Sequence, residues 1–129
     1  MKKILISLFL VFSLITNIKA KENIMILELK YGKVEIELYD KIAPNHVKRF
    51  KTLAEQGKYN GVVFHRVIEG FMAQSGDVKF GNSKNSGYNL NLVGTGGSDL
   101  PDLKAEFSST AHDRGTLSMA RSADPNSAN

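Results

Sequence analysis

The 129-residue chain has no cysteine, no tryptophan and only three prolines, and aromatic residues make up 9% of it. The absence of cysteine excludes disulfides, thiolate metal sites and a lipid-modified cysteine anchor, so stability must come from the core alone. The chain also lacks a true excess of charge. Its 17 Lys+Arg against 13 Asp+Glu give +4, but Lys2, Lys3 and Lys19 lie in the first twenty residues. Residues 21–129 carry 14 against 13, so the basic balance belongs to the N-terminal segment and gives no case for nucleic acid. Beyond residue 20 there is no long hydrophobic run, internal repeat or heptad pattern.

What is present begins with a leader. A basic start, Met1-Lys2-Lys3, precedes an apolar run over residues 4–15 and a polar stretch ending at Ala20. That layout is a secretory signal peptide, and twelve apolar residues are too few to span a bilayer comfortably. Ile18 stands where a small residue is preferred, but cleavage is expected after Ala20. The expected organisation is a signal peptide at 1–20 and one domain at 21–129. The mature chain should be periplasmic or secreted, with no stable membrane association.

Residues 24–30 and 33–39 both alternate, with Met25, Leu27 and Leu29, then Val34, Ile36 and Leu38, on one face. Tyr31-Gly32 between them predicts a β-hairpin. Residues 44–56 read as a helix: Pro44 suits the first turn, Val47, Phe50, Leu53 and Ala54 make a stripe, and Gly57 is a left-handed stop. That stripe should plug the open end of a sheet or barrel. Lys48, Arg49 and Lys51, the densest basic cluster, read as a solvated helix face. Residues 62–68 and 71–74 read as strands around a tight Glu69-Gly70 turn, and residues 115–120 as a last strand with Leu117 and Met119 on one face. Residues 81–101 form a long glycine- and asparagine-rich loop, a length that is usually functional or mobile. With 102–107 as a short strand or turn, the count is about six strands and one helix, a mostly β domain.

Several chemistries can be set aside. Gly94-Thr95-Gly96-Gly97 lacks the lysine and the helix of a phosphate loop. Ser75, His65 and Asp77 lack a nucleophile elbow and lie too close along strands for a hydrolase triad. His46 and His112 have no metal-ligand spacing. The segment 59–77 is different. Arg66 stands in the apolar, β-prone run 62–68, and a side chain that cannot lose its charge needs a partner or a purpose there. Glu69 or Asp77 could serve as a salt-bridge partner.

Phe64-His65-Arg66, followed by Gly70-Phe71-Met72, Gln74 and Gly76-Asp77, resembles the signature of the cyclophilin-type peptidyl-prolyl cis-trans isomerases. The resemblance extends over residues 24–129, through Ala43-Pro44-Asn45, the Gly94–Gly97 segment and Gly115-Thr116-Leu117-Ser118-Met119-Ala120. It implies a cyclophilin-like antiparallel β-barrel with a capping helix at about residues 44–56, and isomerisation of prolyl bonds without a cofactor. Arg66 matches the catalytic arginine, and Phe71 and Met72 match the apolar pocket for the proline ring. Gln74 matches a residue that bonds substrate backbone and orients the arginine, Ala120 a backbone contact to the peptide, and Phe64 and His65 supporting positions. Arg121 occupies a position usually smaller or uncharged in the family, which bears on the residue preferred before proline.

In the family, the second pocket aromatic, the closing strands and a C-terminal helix lie beyond the point matching Asn129. The resemblance therefore implies a barrel that is incomplete because its C-terminal strands and helix are missing, and a chain that is inactive or weak. The expected function is prolyl isomerisation assisting the folding of exported proteins. The expected partners are proline-containing polypeptides met by a monomer. The competing readings are a non-catalytic proline-peptide-binding or chaperone module and a fragment without function.

Overall fold

The computed structural model describes residues 23–129; the expected leader and its cleavage point lie outside the described residues. Alternation produces the first element pair. Strand β1 (Ile24–Leu29) pairs antiparallel with β2 (Gly32–Glu37), Ile24 facing Glu37 and Leu29 facing Gly32. The connection is therefore Lys30-Tyr31, one residue earlier than the sequence suggested, and Gly32 opens β2 at φ +150°, a value that favours glycine. Met25 faces Ile36 and Leu27 faces Val34, an apolar cross-strand ladder on one face. On the other, Lys33 Nζ lies 2.7 Å from Glu28 Oε1 with both side chains 69% exposed, so this pair adds little stability.

Helix α1 (Pro44–Glu55) has proline in its first turn and ends at Gly57, φ +69°, whose N–H donates to Ala54 O at 2.9 Å. Of the predicted stripe, Leu53 is buried and Val47, Phe50 and Ala54 are half-buried. The Phe50 and Tyr59 rings pack 5.1 Å apart. Burial pushes the Tyr59 hydroxyl up to about 12 against the opposing pull of Arg49. The helix does not fully plug anything: a groove of about 580 Å³ lies between it and β1, lined by Met25, Ile26, Leu38 and Ala54 among others.

The basic cluster on this helix is not a uniformly solvated face. Arg49 is buried, and its Nη2 donates to Pro101 O at 2.6 Å. Lys51 Nζ donates to Asn23 Oδ1 at 2.9 Å. Only Lys48 of the three is exposed. Both lapses share a cause: Arg49 and Lys51 lie on flanks of the helix that meet the 101 loop and the start of β1, contacts no local pattern encodes.

Strands β3 (Arg66–Ile68) and β4 (Met72–Gln74) form a second antiparallel pair with Ile68 opposite Met72. Upstream, residues 62–65 do not ladder with β4 beyond a His65 N–H to Gln74 O bond of 3.0 Å; Val62 bridges instead to Asn82. Leu103 makes an isolated bridge to Ala128.

Two expectations need correction. The barrel expected was an incomplete one, but the described residues form two separate two-stranded sheets with no ladder joining β1–β2 to β3–β4, and even part of a barrel requires a continuous one. Residues 115–120 form no strand. Their alternation is real, but they have no ladder partner, and Leu117 is 56% exposed. The count among the described residues is thus four strands and one helix. The apolar core is thin: Leu38, Leu53 and Ala128 are its buried members. Among the described residues no helix is long and apolar enough to cross a membrane.

Candidate peptide-binding site

The register of the second hairpin decides the site. Arg66 is the cross-strand partner of Gln74, so both side chains leave the same face of the sheet. Two residues along each strand, Ile68 faces Met72 and projects to that same face, while Val67 and Ala73 project to the other. The connection runs over Glu69, Gly70 and Phe71, closed by a Phe71 N–H to Ile68 O bond of 3.1 Å, with Gly70 at φ +71°. This is a three-residue loop with its glycine in the left-handed position, longer by one than the tight turn expected. Phe71 stands at its end, 77% exposed.

One face of a short hairpin thus presents a guanidinium, a primary amide and a thioether together, with the Phe71 ring exposed at the end of the loop. Arg66 is exposed, and Met72 and Gln74 are half-buried. The ion pairs of the described residues are Lys33 with Glu28 and His46 with Glu106, so neither Glu69 nor Asp77 neutralises Arg66. Ala120 and Arg121 are exposed, and no hydrogen bond among the described residues ties them to β3 or β4. The Arg121 guanidinium folds back on its own turn, donating to Ser122 O at 2.8 Å and Ala123 O at 3.3 Å. Phe64 is 47% exposed. His65 is half-buried, its Nδ1 enclosed without a hydrogen-bond partner among the described residues.

Two carboxylates with structural roles had not been singled out for them, one just beyond β4 and one at the start of α1. Asp77 is buried, and its Oδ1 accepts from Lys79 N (3.0 Å) and Phe80 N (2.8 Å). Its Oδ2 accepts from Gly94 N (2.7 Å) and Gly96 N (3.1 Å). Burial alone would raise this carboxyl, but the four N–H groups stabilise its anion and hold it below the ordinary range. The long loop is therefore fixed at both ends, and between them it runs through successive turns, such as Tyr88 N to Asn85 O (3.0 Å) and Leu92 N to Asn89 O (2.9 Å).

Glu106 caps α1 from 60 and 61 residues away. The helix is preceded by Ala43, which has no side chain to accept the first N–H groups, and has no acid in its first turn. Glu106 fills that need, accepting from Asn45 N (3.0 Å), Asn45 Nδ2 (2.7 Å) and His46 N (3.1 Å). His46 Nδ1 lies 2.6 Å from Oε2 and donates there, because a carboxylate can only accept. Burial works against the anion, but these bonds prevail and lower the carboxyl from 4.5 to about 2. The sequence signal was an omission: a helix start with proline but no Ser, Thr, Asp or Asn before it.

No group of three His, Cys, Asp or Glu among the described residues is placed to hold a metal. The arrangement suits non-covalent recognition of an extended peptide. An exposed hairpin offers charge-assisted and amide hydrogen bonds beside an apolar wall. The family described as cyclophilin type peptidyl-prolyl cis-trans isomerase/CLD matches residues 24–129, and the chain belongs to that family. It is 59% identical over 108 residues to a "probable peptidyl-prolyl cis-trans isomerase" of Brucella suis, covering 84% of this chain and 55% of that protein. A peptidyl-prolyl cis-trans isomerase of Acinetobacter baylyi is 36% identical over 117 residues, covering 89% and 56%. The crystal structure of the cyclophilin AquaCyp293 from Hirschia baltica superposes with a TM-score of 0.58 at 28% identity, covering 82% of this chain and 54% of that one. The chain spans about half the length of the curated relatives it matches.

Proposed function

We propose that this chain carries the catalytic half of a prolyl cis-trans isomerase site, used on proline-containing segments of exported polypeptides. The observation that carries the reading is the cross-strand pairing of Arg66 with Gln74 on the face that also carries Met72. Rotation about an X–Pro bond is opposed by amide resonance, a barrier of about 18–20 kcal/mol. Twisting the bond pyramidalises the prolyl nitrogen and frees its lone pair. The Arg66 guanidinium donates to that nitrogen and holds the twisted state more tightly than either planar one, which is what accelerates rotation. Gln74 holds the substrate backbone and the guanidinium, while Met72 and Phe71 exclude water from the ring. No bond breaks and no proton changes hands, so the reaction needs no cofactor.

The apolar wall is one-sided. Phe71 is 77% exposed, and Ala120 and Arg121 make no described bond to the hairpin. A ring resting on one wall is held loosely, so little binding free energy is available to the twisted state. The expected outcome is weak turnover of a prolyl tetrapeptide by the 129-residue chain in a cis–trans exchange assay. Robust turnover, comparable to a cyclophilin, would overturn this part of the reading.

The basic start, apolar run and small residue at Ala20 support export. Outside the cytoplasm, uncatalysed prolyl isomerisation takes tens of seconds, slow enough to limit folding. Expressed in a bacterial host, the chain should be recovered outside the cytoplasm with Lys21 as its first residue. Retention in the cytoplasm with Met1 intact would remove the export assignment.

A further inference from the structure

The buried Asp77 carboxylate lies three residues beyond Gln74, yet it touches nothing on the substrate face. All four of its hydrogen bonds go to backbone N–H groups, two on its own turn and two at Gly94 and Gly96. The position of Gly94 explains what this achieves. A Cβ built on Gly94 would lie 2.8 Å from His65 Cδ2 and 3.1 Å from Nε2, so the bare glycine backbone abuts the imidazole face. Gly94 also has φ +89°, a conformation that side chains disfavour. At Gly96 an added Cβ would come 2.7 Å from the Phe80 ring and 2.8 Å from Asp77 Oδ1. The turn therefore has essentially one way to sit.

His65 is the residue before Arg66, and its own N–H donates to Gln74 O at 3.0 Å. Its ring is held by packing, since Nδ1 is buried without a partner among the described residues. His65 is thus held at two points, its backbone N–H by Gln74 O and its ring by the Gly94 backbone. We propose that Asp77 is a positioning residue for Arg66: by pinning the 94–96 turn against His65, it fixes the angle at which the guanidinium leaves β3 opposite Gln74. The inference rests on the reading of Arg66 as the group that donates to the prolyl nitrogen.

The chemistry requires a carboxylate. An amide at this position keeps one acceptor oxygen and turns an NH₂ toward two of the four N–H groups, so one pair of bonds is lost and a repulsion replaces it. Asp77→Asn should release the turn, let the His65 ring swing, and lower kcat by about ten- to a hundredfold, the usual cost of misplacing a reacting group by about 1 Å. KM should stay within about twofold, because the apolar wall of Met72 and Phe71 is untouched. Asp77→Glu, which retains both acceptors on a longer stem, should recover part of the lost kcat.

The experiment is cis–trans exchange of a prolyl tetrapeptide by NMR at several peptide concentrations, run on the native chain, Asp77→Asn, Asp77→Glu and Gly94→Ala. The Arg66 Nε–H signal is recorded in parallel. Gly94→Ala drives a methyl into the same imidazole while leaving the Asp77 carboxylate in place, and covers the case in which Asp77→Asn does not fold. A fall in kcat with steady KM, accompanied by a shifted Arg66 Nε–H signal in both variants, supports the proposal. If native turnover is too slow to separate kcat from KM, a moved Arg66 signal supports it and an unmoved one overturns it. Unchanged kcat in folded Asp77→Asn also overturns it, as does a loss that only tracks the folded fraction. An Arg66→Ala control separates the two levels. If that variant is as active as the native chain, the catalytic reading itself fails; if it is inactive while Asp77→Asn is not, only the positioning role fails.

Discussion

Replacing Arg66 with alanine is expected to abolish most of the isomerase activity and leave the fold intact. On the proposed reading the guanidinium would supply a charge-assisted hydrogen bond made only in the twisted state, worth about 1.5–3 kcal/mol, or roughly 10- to 150-fold in rate. The fold should not respond, because Arg66 is exposed and the two ion pairs of the described residues involve other side chains. Arg66→Lys is expected to recover little, since an ammonium on a flexible stem cannot present the planar fork that a neighbouring Gln74 can steady. The check is a cis–trans exchange rate measured beside a urea unfolding curve. Native-like turnover in a folded Arg66→Ala protein contradicts the assignment. A variant that loses activity and stability together would show that the arginine serves structure.

The largest effect on stability is expected at Glu106. Glu106→Ala leaves the first N–H groups of α1 without an acceptor and removes a partner from His46. Caps and hydrogen bonds to charged groups together put the cost at about 2–3 kcal/mol. For a domain of this size that is a fall of about 10–20 °C in Tm. The pH dependence carries a definite sign. The carboxyl sits at about 2 in the folded chain against 4.5 ordinarily, so its contribution is fully present above about 4.5. It is lost progressively as pH falls from about 4.5 through about 2, below which both states bind the proton. The stability gap between the native chain and Glu106→Ala should therefore be widest near neutrality and should narrow steadily below pH 4.5. A gap of equal size at pH 7 and pH 3 means that the charge of Glu106 is not what caps the helix.

These residues also show where sequence reading succeeds and where it stops. The first hairpin follows from alternation around Tyr31-Gly32, and α1 from Pro44, its apolar stripe and Gly57, because each is written in neighbouring residues. Strands β3 and β4 lie within the predicted segments 62–68 and 71–74, and their register puts Arg66, Met72 and Gln74 on one face. Asp77 and Glu106 were not legible in their actual roles. Each satisfies backbone N–H groups far along the chain, at 17 and 19 residues for Asp77 and 60 and 61 for Glu106, and these distant partners leave no local pattern. Arg49 was misread for the same reason, its partner being the Pro101 carbonyl. The strand expected at residues 115–120 failed differently. Alternation marks a segment able to join a ladder, but a strand exists only where a partner supplies the hydrogen bonds.

The central claim is that one face of the β3–β4 hairpin binds an X–Pro segment through Arg66, Gln74 and Met72 together. It is tested most directly by an NMR titration of the chain with an Ala-Pro tetrapeptide and with the same peptide carrying alanine in place of proline. The Arg66 Nε–H, the Gln74 side-chain amide and the Met72 methyl should shift along one binding curve with the prolyl peptide and remain still with the alanine peptide. No movement at these three positions, or equal movement with both peptides, would contradict the account.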